Sequence, residues 1–387
     1  MAGYLISLDN EDSLRLYIKN GVYATKINLP QNGHWSRSQE GTLADYVTMR
    51  NGDNIYFFIQ RKIYGIGELV NISGDCKFCN FNKASAPEQF EYASIKNELL
   101  WDEGEISVKQ RWICCFKPSP KFFINGLDMD EVLSSNPSAF RMLRAFWKLS
   151  FIKFDDEENQ AFKDAILKLN MANSNGIIAE NSEFDCDFSE THSKIENMVH
   201  GDDFYKINVT HVLHDCAHGS LLGHEMAIEA GILYQLSLKD AQTIDILGEW
   251  DYLSHQVIAS PFKPIDYMDK MDVFGYSYIL GFKPTKSNFL IAELKKDKAT
   301  EEDILQLMKY VDWVKDEYCF GDYSMINAFL IASDFQDNMP NLIHDVVQRR
   351  FTIGTRPTKS KMWNKVKLIK YSFNSNDSHI DLSNIDD

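Results

Sequence analysis

The sequence has no long apolar run, and none of its apolar stretches approaches the length of a membrane-spanning helix. Its N-terminal stretch is acidic and lacks the apolar core of a secretory signal. Cysteine is scarce and odd in number. Seven cysteines without a signal peptide favour free thiols in a reducing compartment over a disulfide framework. These absences lead us to expect a cytoplasmic protein that does not contact a membrane.

The sequence also lacks an excess of positive charge. It has 40 Lys and Arg residues against 56 Asp and Glu residues, a net charge of −16, which disfavours a general affinity for nucleic acid. The charge is uneven, however, because the stretch from Arg349 to Lys370 contains eight basic residues and no acid. Phosphate contact needs only a local basic surface.

Four residues of this basic stretch are candidate nucleic-acid contacts: Arg349, Arg350, Lys359 and Lys361. Their long cationic side chains suit phosphate oxygens. A solvated basic tail is the alternative, and composition favours neither interpretation over the other.

Length and composition indicate a globular protein with more than one domain. The chain has 387 residues, of which 44% are apolar and 13% aromatic. That is enough for two or three domains with sizeable cores. A polar, acidic stretch separates a β-rich N-terminal part from a part with helical periodicity and apolar strands. We expect a recognition domain over 1–170, an acidic linker over 171–215, an α/β domain over 216–345 and a basic C-terminal segment over 346–387.

One apolar run ends in two charged residues. Residues 289–292 are Phe-Leu-Ile-Ala, and Glu293, Leu294 and Lys295 follow them. Such a run is typical of a strand buried on both faces, and burying a charge without a partner is costly. Because side chains alternate across a strand, Glu293 and Lys295 project from the same face. The pair therefore predicts a polar pocket at the end of a buried strand.

Residues on both sides of this strand extend the predicted pocket. Upstream, Asp272 precedes an apolar pair in a second predicted strand, and Asp269 is the alternative acid. Downstream, the apolar periodicity of residues 301–314 predicts a helix. Gln306 and Tyr310 lie one turn apart on that helix. Together with Glu293 and Lys295, these residues form an ordered set along the chain.

This ordered set resembles the PD-(D/E)XK nuclease superfamily, in which an acid is followed by Glu-x-Lys at a strand end. The further order of Gln306, Tyr310 and an apolar strand over residues 329–332 is similar to the catalytic domain of NucS-type endonucleases. The resemblance covers roughly residues 219–340 and implies a restriction-endonuclease-like α/β fold. The alternative is an ordinary Glu–Lys pair at a strand end.

The resemblance implies a metal site at the strand end. Mg²⁺, for which Mn²⁺ can substitute, takes oxygen ligands, and the resemblance assigns them to Asp272, Glu293 and the carbonyl of Leu294. Lys295 would position or deprotonate the attacking water, with its pKa lowered near the metal.

The same resemblance directs helical side chains toward the site. A glutamate on the first helix of such a domain points at the metal, and Glu225 and Glu229 share one face of a helix predicted over 221–238. Gln306 would point back to the pocket, with Tyr310 beside it. The alternatives are an exposed acidic face for the glutamates and a packing role for Gln306 and Tyr310.

The N-terminal part predicts a small barrel. The turn at residues 51–53, Asn-Gly-Asp, is typical of a hairpin, and short β-rich runs cover residues 21–27, 55–59 and 64–70. A Gly-Asp turn before one strand and a glycine-bearing strand after it resemble PUA-like barrels of the EVE type. Barrels of this type are similar to nucleic-acid-recognition domains that hold a nucleobase in an aromatic pocket.

Three aromatic residues are candidates for that pocket: Trp35, Tyr23 and Tyr46. Trp35 is the strongest, because His34 and Arg37 beside it indicate a polar loop. The alternative for each is a place in the barrel core, where aromatic residues are common.

Cysteine and histidine are clustered in two places. Cys76 and Cys79 form a Cys-x-x-Cys pair, with Cys114 and Cys115 as candidate partners, and five Cys and His residues lie within residues 211–224. Zinc takes such ligands, but neither spacing matches a complete zinc signature. Free thiols and an ordinary helix are the alternatives, so both zinc sites stay open.

Together these features predict a Mg²⁺-dependent endodeoxyribonuclease with an N-terminal base-reading domain and DNA as its partner. A reader joined to a nuclease is typical of restriction or antiviral defence against modified DNA, an inference from architecture alone. Two alternatives stay open: a nucleic-acid-binding protein with an inactive nuclease scaffold, and a nuclease directed at RNA. The oligomeric state is also open, a homodimer included.

Overall fold

The computed structural model describes residues 1–28, 33–140, 151–178, 183–201, 203–261, 268–354 and 356–385. They form a mixed α/β protein with two compact units. The first unit comprises Met1–Trp35 and Met49–His211, and the second comprises Ser36–Thr48 and Val212–Asp387. No helix in the described ranges is long and apolar enough to cross a membrane.

The first unit is built on one sheet with helices packed around it. Its strands are β1 (Gly3–Ser7), β2 (Val22–Lys26), β3 (Asn54–Ile59), β4 (Lys62–Leu69), β5 (Lys77–Cys79), β6 (Gln110–Pro118), β7 (Leu127–Asp128) and β8 (Phe151–Phe154). Its helices are α1 (Glu11–Asn20), α3 (Tyr92–Ile95), α4 (Met129–Ser135), α5 (Asp156–Asn173) and α6 (Ser189–Val199).

The sheet of the first unit is curled. Its strand order is β2-β6-β4-β3-β1-β8, with β5 beside β6 and β7 beside β4. The ring of Tyr23 on β2 lies 5.8 Å from that of Phe151 on β8, so side chains of the two terminal strands meet. Tyr56 and Phe162 pack with a centroid separation of 4.6 Å in a core shared by the sheet and α5. The result is a half-barrel with an aromatic interior.

The second unit combines a six-stranded sheet with helices from two parts of the chain. Its helices are α2 (Arg37–Val47), α7 (Thr210–Cys216, whose first residues close the first unit), α8 (Glu225–Ser237), α9 (Ala241–Leu247), α10 (Glu301–Glu317) and α11 (Met339–Val346). Its strands are β9 (Ala217–His218), β10 (Leu221–Leu222), β11 (Tyr252–Ile258), β12 (Lys270–Tyr278), β13 (Lys286–Ala299), β14 (Ile326–Phe335), β15 (Arg349–Ile353), β16 (Lys359–Trp363), β17 (Val366–Asn374) and β18 (His379–Asn384).

The six-stranded sheet has the order β11-β12-β13-β14-β17-β18. β13 runs antiparallel to β12 and parallel to β14, and β14 runs parallel to β17. The predicted buried strand is the middle of β13, where residues 289–294 are all buried. β13 leads into α10, whose start is fixed by a capping box between Thr300 and Asp303. These connections bring the end of β13 and the first turns of α10 close together.

The domain bounds at residues 170, 215 and 345 stay predictions, but several segments differ from the expected pattern. Residues 36–48, expected in the first domain, belong to the second unit. The expected linker contains α6, which buries Ile195 and Val199. In the expected basic C-terminal segment, β17 and β18 are strands of the six-stranded sheet. The specific restriction-endonuclease-like fold and the PUA-like barrel stay predictions.

Candidate active site

The candidate site forms where three neighbouring strands place polar residues side by side. Val273 on β12 pairs with Ala292 on β13, so the next positions, Asp272 and Glu293, stand opposite each other. The pairing of β11 with β12 likewise places Gln256 opposite Asp272. Residues opposite one another on neighbouring strands project from the same face. Gln256, Asp272 and Glu293 therefore form a polar row across the sheet.

Hydrogen bonds hold this row in place. One oxygen of Asp272 (Oδ2) accepts the backbone N–H of Leu294 at 2.8 Å, and the other (Oδ1) accepts from the Gln256 amide at 3.2 Å. The same amide also donates to Glu229 of α8 at 2.9 Å. Gln256 has a φ of 51°, a backbone conformation that side-chain-bearing residues seldom adopt. The strand is distorted at the residue that links two carboxylates.

Lys295 lies on the same face as Glu293, as the strand alternation predicts. Its Nζ donates to Glu293 Oε1 at 2.7 Å and lies 3.7 Å from Asp303 at the start of α10. Burial works to lower the pKa of Lys295, but the charge and hydrogen bond of Glu293, together with the charges of Glu225 and Asp272, raise that pKa above its ordinary value. The expected lowering of the Lys295 pKa depended on a bound cation, and the side chains alone act in the opposite direction.

Three carboxylates converge here: Glu229 and Glu293 are buried, and Asp272 is half-buried. Burial raises the pKa of Glu293 to about 7. Burial, together with the charges of Glu229 and Glu293, raises the pKa of Asp272 well above its ordinary value. Burial likewise raises the pKa of Glu229. Carboxylates that share a dry site resist ionisation because each disfavours the charge of the others.

Glu293 has an unsatisfied oxygen. Its side chain is 1% exposed, and Oε2 has no hydrogen-bond partner among the described residues. A buried polar atom without a partner is costly. Carboxylate oxygens, one of them unpaired, are the donor type that Mg²⁺ and Mn²⁺ take. The donor type therefore fits a hard divalent cation at Asp272 and Glu293, although in the described structure oxygens of Glu229, Asp272 and Glu293 do not all lie within 4.8 Å of one another.

The predicted helical residues surround the same cluster. The Gln306 amide donates to the Tyr310 hydroxyl at 2.6 Å, so these two residues meet as expected. Burial, followed by the charge of Glu293, raises the pKa of Tyr310. Glu225 is half-buried one turn before Glu229, and its charge raises the pKa of Glu293. The metal-binding role of the Leu294 carbonyl stays a prediction.

Two residues of this network were not predicted. His255 on β11 lies 3.3 Å from Glu229 and 3.3 Å from Asp45 of α2, between two carboxylates. Burial lowers the pKa of His255, but Asp45 and Glu229 together raise it to about 9. The positions of His255 and Gln256 depend on the pairing of β11 with β12, which no local sequence pattern reveals. The adjacent polar pair within an apolar run at residues 252–258 was the available signal.

The aromatic residues proposed to read a base are all buried. Trp35 is 2% exposed, its indole N–H donates to the Ser85 carbonyl at 2.7 Å, and its ring packs against Arg111. Tyr23 lies inside the half-barrel, and Tyr46 lies on α2 of the second unit. The alternative interpretation places all three residues in a core, and their burial agrees with it.

The basic candidates share a two-stranded ribbon formed by β15 and β16. Arg349 is bound to Asp312 through Nε at 3.0 Å and Nη2 at 3.1 Å, so its guanidinium is already occupied. Arg350, Lys359 and Lys361 are exposed. The ribbon is anchored by Trp363, whose ring packs 5.9 Å from that of Tyr323. These residues belong to an ordered ribbon, not to an extended tail.

The four cysteines of the first predicted zinc cluster lie on β5, β6 and the residue before β5. All four thiols are buried and free: Cys76, Cys79, Cys114 and Cys115. In the described part of the chain, they do not form a group with the spacing of metal ligands. Burial raises the pKa of Cys76 to about 12, which favours its protonated form.

Comparisons with known proteins do not establish a family. No protein-family model matches the chain, and no curated protein matches it. A repair endonuclease from Pyrococcus abyssi aligns at 23% identity and a TM-score of 0.19, over 26% of this chain and 37% of the endonuclease. The chain thus spans little more than a third of that protein.

Two further solved structures align over a larger share of the chain. The YTH domain of mmi1, solved with RNA, aligns at 13% identity and a TM-score of 0.25, over 45% of this chain and 86% of the domain. A protein from Leishmania major aligns at 13% identity and a TM-score of 0.27, over 45% of this chain and 97% of that protein. With TM-scores this low, none of the three carries an argument about activity, and membership of the PD-(D/E)XK superfamily stays a prediction.

Proposed function

We propose that the second unit hydrolyses phosphodiester bonds of nucleic acid with a divalent cation at Asp272 and Glu293. The observation that carries the proposal is the convergence of Glu229, Asp272, Glu293 and Lys295 where the start of β12 pairs with the middle of β13. Glu229 and Glu293 are buried, and Glu293 Oε2 is unpartnered in the described part of the chain. Such a cluster lowers the free energy of unfolding, and natural proteins retain destabilising charged clusters mainly at functional sites.

Mg²⁺, when bound, supplies positive charge that stabilises the negative charge developing at phosphorus. The other roles belong to side chains. Gln256 fixes the orientations of Glu229 and Asp272 by donating to both. His255, held between Asp45 and Glu229, contributes a second positive charge beneath Glu229. This shell keeps the carboxylates in place before the substrate arrives.

Lys295 acts as a charged donor in this proposal. The surrounding carboxylates raise its pKa, which favours the ammonium form. It can orient a water molecule and neutralise charge on a phosphate oxygen. Gln306 and Tyr310 add neutral donors on the α10 side of the cluster.

DNA is the proposed substrate because of the sequence resemblance, and a restriction or defence role stays a prediction from the order of the domains. The test is cleavage of supercoiled DNA, linear DNA and single-stranded RNA with Mg²⁺, with Mn²⁺ and with EDTA. We expect cleavage of DNA that EDTA abolishes and added Mg²⁺ restores. Cleavage of RNA alone would support the RNA-directed alternative. Cation-independent cleavage, or none with any substrate, would contradict the proposal.

A further inference from the structure

A second cluster of metal-binding side chains lies at the start of α8. β9 and β10 form a hairpin with a two-residue turn at Gly219 and Ser220, and this hairpin places Gly223 opposite Cys216 with a backbone hydrogen bond of 2.9 Å. His224 follows directly and caps α8. The third member, Glu40, comes from α2. Two distant parts of the sequence, α2 and the hairpin before α8, therefore meet within the second unit.

The three ligand atoms are already close to one another. The Cys216 sulfur, a ring nitrogen of His224 and a carboxylate oxygen of Glu40 all lie within 4.8 Å of each other. His224 Nδ1 lies 2.8 Å from Glu40 Oε1, and the backbone N–H of His224 donates to Cys216 Sγ at 3.1 Å. Tetrahedral ligands about 2.0–2.3 Å from a zinc ion are roughly 3.3–3.8 Å apart. Only small movements separate this cluster from such a site.

An unpartnered buried atom points to a missing ligand. Glu40 is 1% exposed, and its Oε2 has no hydrogen-bond partner among the described residues. The hydrogen bond between His224 and Oε1 satisfies only one oxygen of the carboxylate. An ordinary Glu–His pair would not leave the other oxygen buried and unsatisfied, because that is costly.

We infer that Glu40, Cys216 and His224 bind one Zn²⁺ ion. A thiolate and an imidazole are ligands of zinc and other borderline metals, whereas Mg²⁺ prefers oxygen. Three protein ligands leave a fourth position for water. The N–H bond from His224 to the cysteine sulfur is of the kind that steadies a metal-bound thiolate. This site is chemically distinct from the carboxylate cluster and does not depend on the proposed nuclease activity.

The zinc ion positions α8. It joins α2 to the residue before α8, and the two helices already pack against each other. Glu225 and Glu229 follow on the same helix, so a fixed start of α8 fixes the glutamate that contributes to the candidate active site. The ion would act there through α8 and not by contact with a substrate.

The test is the metal content of the full chain, purified without chelators and dialysed against metal-free buffer. We expect about one zinc ion per chain, lost in Cys216→Ser and reduced in Glu40→Gln. Cys319→Ser, a buried free thiol of the same unit, is the matched control and should keep the zinc. Absence of zinc from the parent protein, or equal zinc in Cys216→Ser and Cys319→Ser, would overturn the inference.

A spectroscopic measurement on the parent protein covers the case in which a variant does not fold. Zinc is removed with a chelator and replaced with Co²⁺, which reports its ligands by absorption. We expect a thiolate-to-cobalt charge-transfer band in the near ultraviolet together with the intense visible bands of tetrahedral coordination. Only the weak visible bands of octahedral Co²⁺, without the charge-transfer band, would show that Cys216 is not a ligand. Neither readout requires nucleic-acid cleavage, so failure here is distinct from failure of the proposed function.

Discussion

Glu293 combines burial, negative charge and an unsatisfied oxygen in one side chain. Its neighbours are the buried Glu229 and the half-buried Asp272, so negative charges at these three carboxylates repel one another. Burial raises the pKa of Glu293 to about 7. The folded protein therefore keeps a proton there that the unfolded chain releases at its ordinary pKa of 4.5.

The first prediction concerns stability and pH. The stabilising contribution of protonated Glu293 is fully present below its unfolded pKa of 4.5 and is lost as pH rises through about 7. In EDTA, the free energy of unfolding of the parent should fall across this window. Glu293→Gln should flatten the fall, because its amide does not titrate. Urea unfolding at a series of pH values measures this. Glu317→Gln, an exposed acid of α10, should follow the parent, and a flat parent profile would contradict the assignment.

The second prediction concerns Trp35. Its ring is buried against Arg111 and Trp112, and its N–H is bonded to the Ser85 carbonyl. Trp35→Ala should lower the free energy of unfolding by about 3–5 kcal/mol, the range for removing a large aromatic from a core. Trp35→Phe should lose less, because it keeps most of the ring volume. The measurement is urea unfolding of both variants. A stable Trp35→Ala variant that no longer discriminates among nucleic-acid substrates would instead support the predicted reading role.

At the scale of elements, the position of α2 has the largest consequence. The sequence places this helix between two strands of the first unit, yet it packs with α8 in the second. It supplies Asp45 to the His255 network and Glu40 to the cluster with Cys216 and His224. No local sequence pattern shows that a helix packs in a different unit from the strands on either side of it in the chain. Tyr46 was assigned to the barrel for that reason.

Local patterns did predict the buried part of β13 and the charged pair that follows it, but the expected strand end is wrong, because β13 continues past Lys295 to Ala299. The apolar run before Glu293 and the alternation that joins Glu293 to Lys295 are properties of one strand, and the helix with Gln306 and Tyr310 is a property of one periodic segment. Gln256 and His255 reach the candidate site because β11 pairs with β12, and no local sequence pattern predicts which strands pair. Local sequence patterns therefore predict which side chains lie on one face of an element. They do not predict which elements pack together, because that depends on the whole fold.

The third prediction concerns the ribbon formed by β15 and β16. Lys361 is exposed on this ribbon, whereas Arg349 is held by Asp312. Lys361→Gln should reduce the slope of log affinity against log salt by about one unit if Lys361 contacts phosphate. Lys239→Gln, an exposed lysine paired with Glu249 after α8, is the control. Fluorescence anisotropy with labelled DNA from low to moderate salt measures both slopes. Equal slopes in parent and Lys361→Gln would show that the ribbon does not bind phosphate.

At the scale of the whole molecule, the net charge of −16 and the proposed activity on a polyanion have to be compatible. The two agree if substrate contact is confined to local basic surfaces and to the cation held by the carboxylates. The ribbon is one such surface, and Lys295 provides a further positive charge inside the candidate site. Affinity should then depend strongly on divalent cation.

The role of Lys295 tests the central claim most directly. The measurement is single-turnover cleavage of DNA in Mg²⁺ by Lys295→Ala and by Lys298→Ala, a lysine of the same strand that pairs with Asp334 and Asp337 outside the cluster. We predict that Lys295→Ala slows cleavage by roughly a hundred- to a thousandfold, the range for losing one electrostatic donor, and that Lys298→Ala cleaves like the parent. Equal rates for the two variants, with both proteins folded, would contradict a catalytic site at Glu293 and Lys295 of β13.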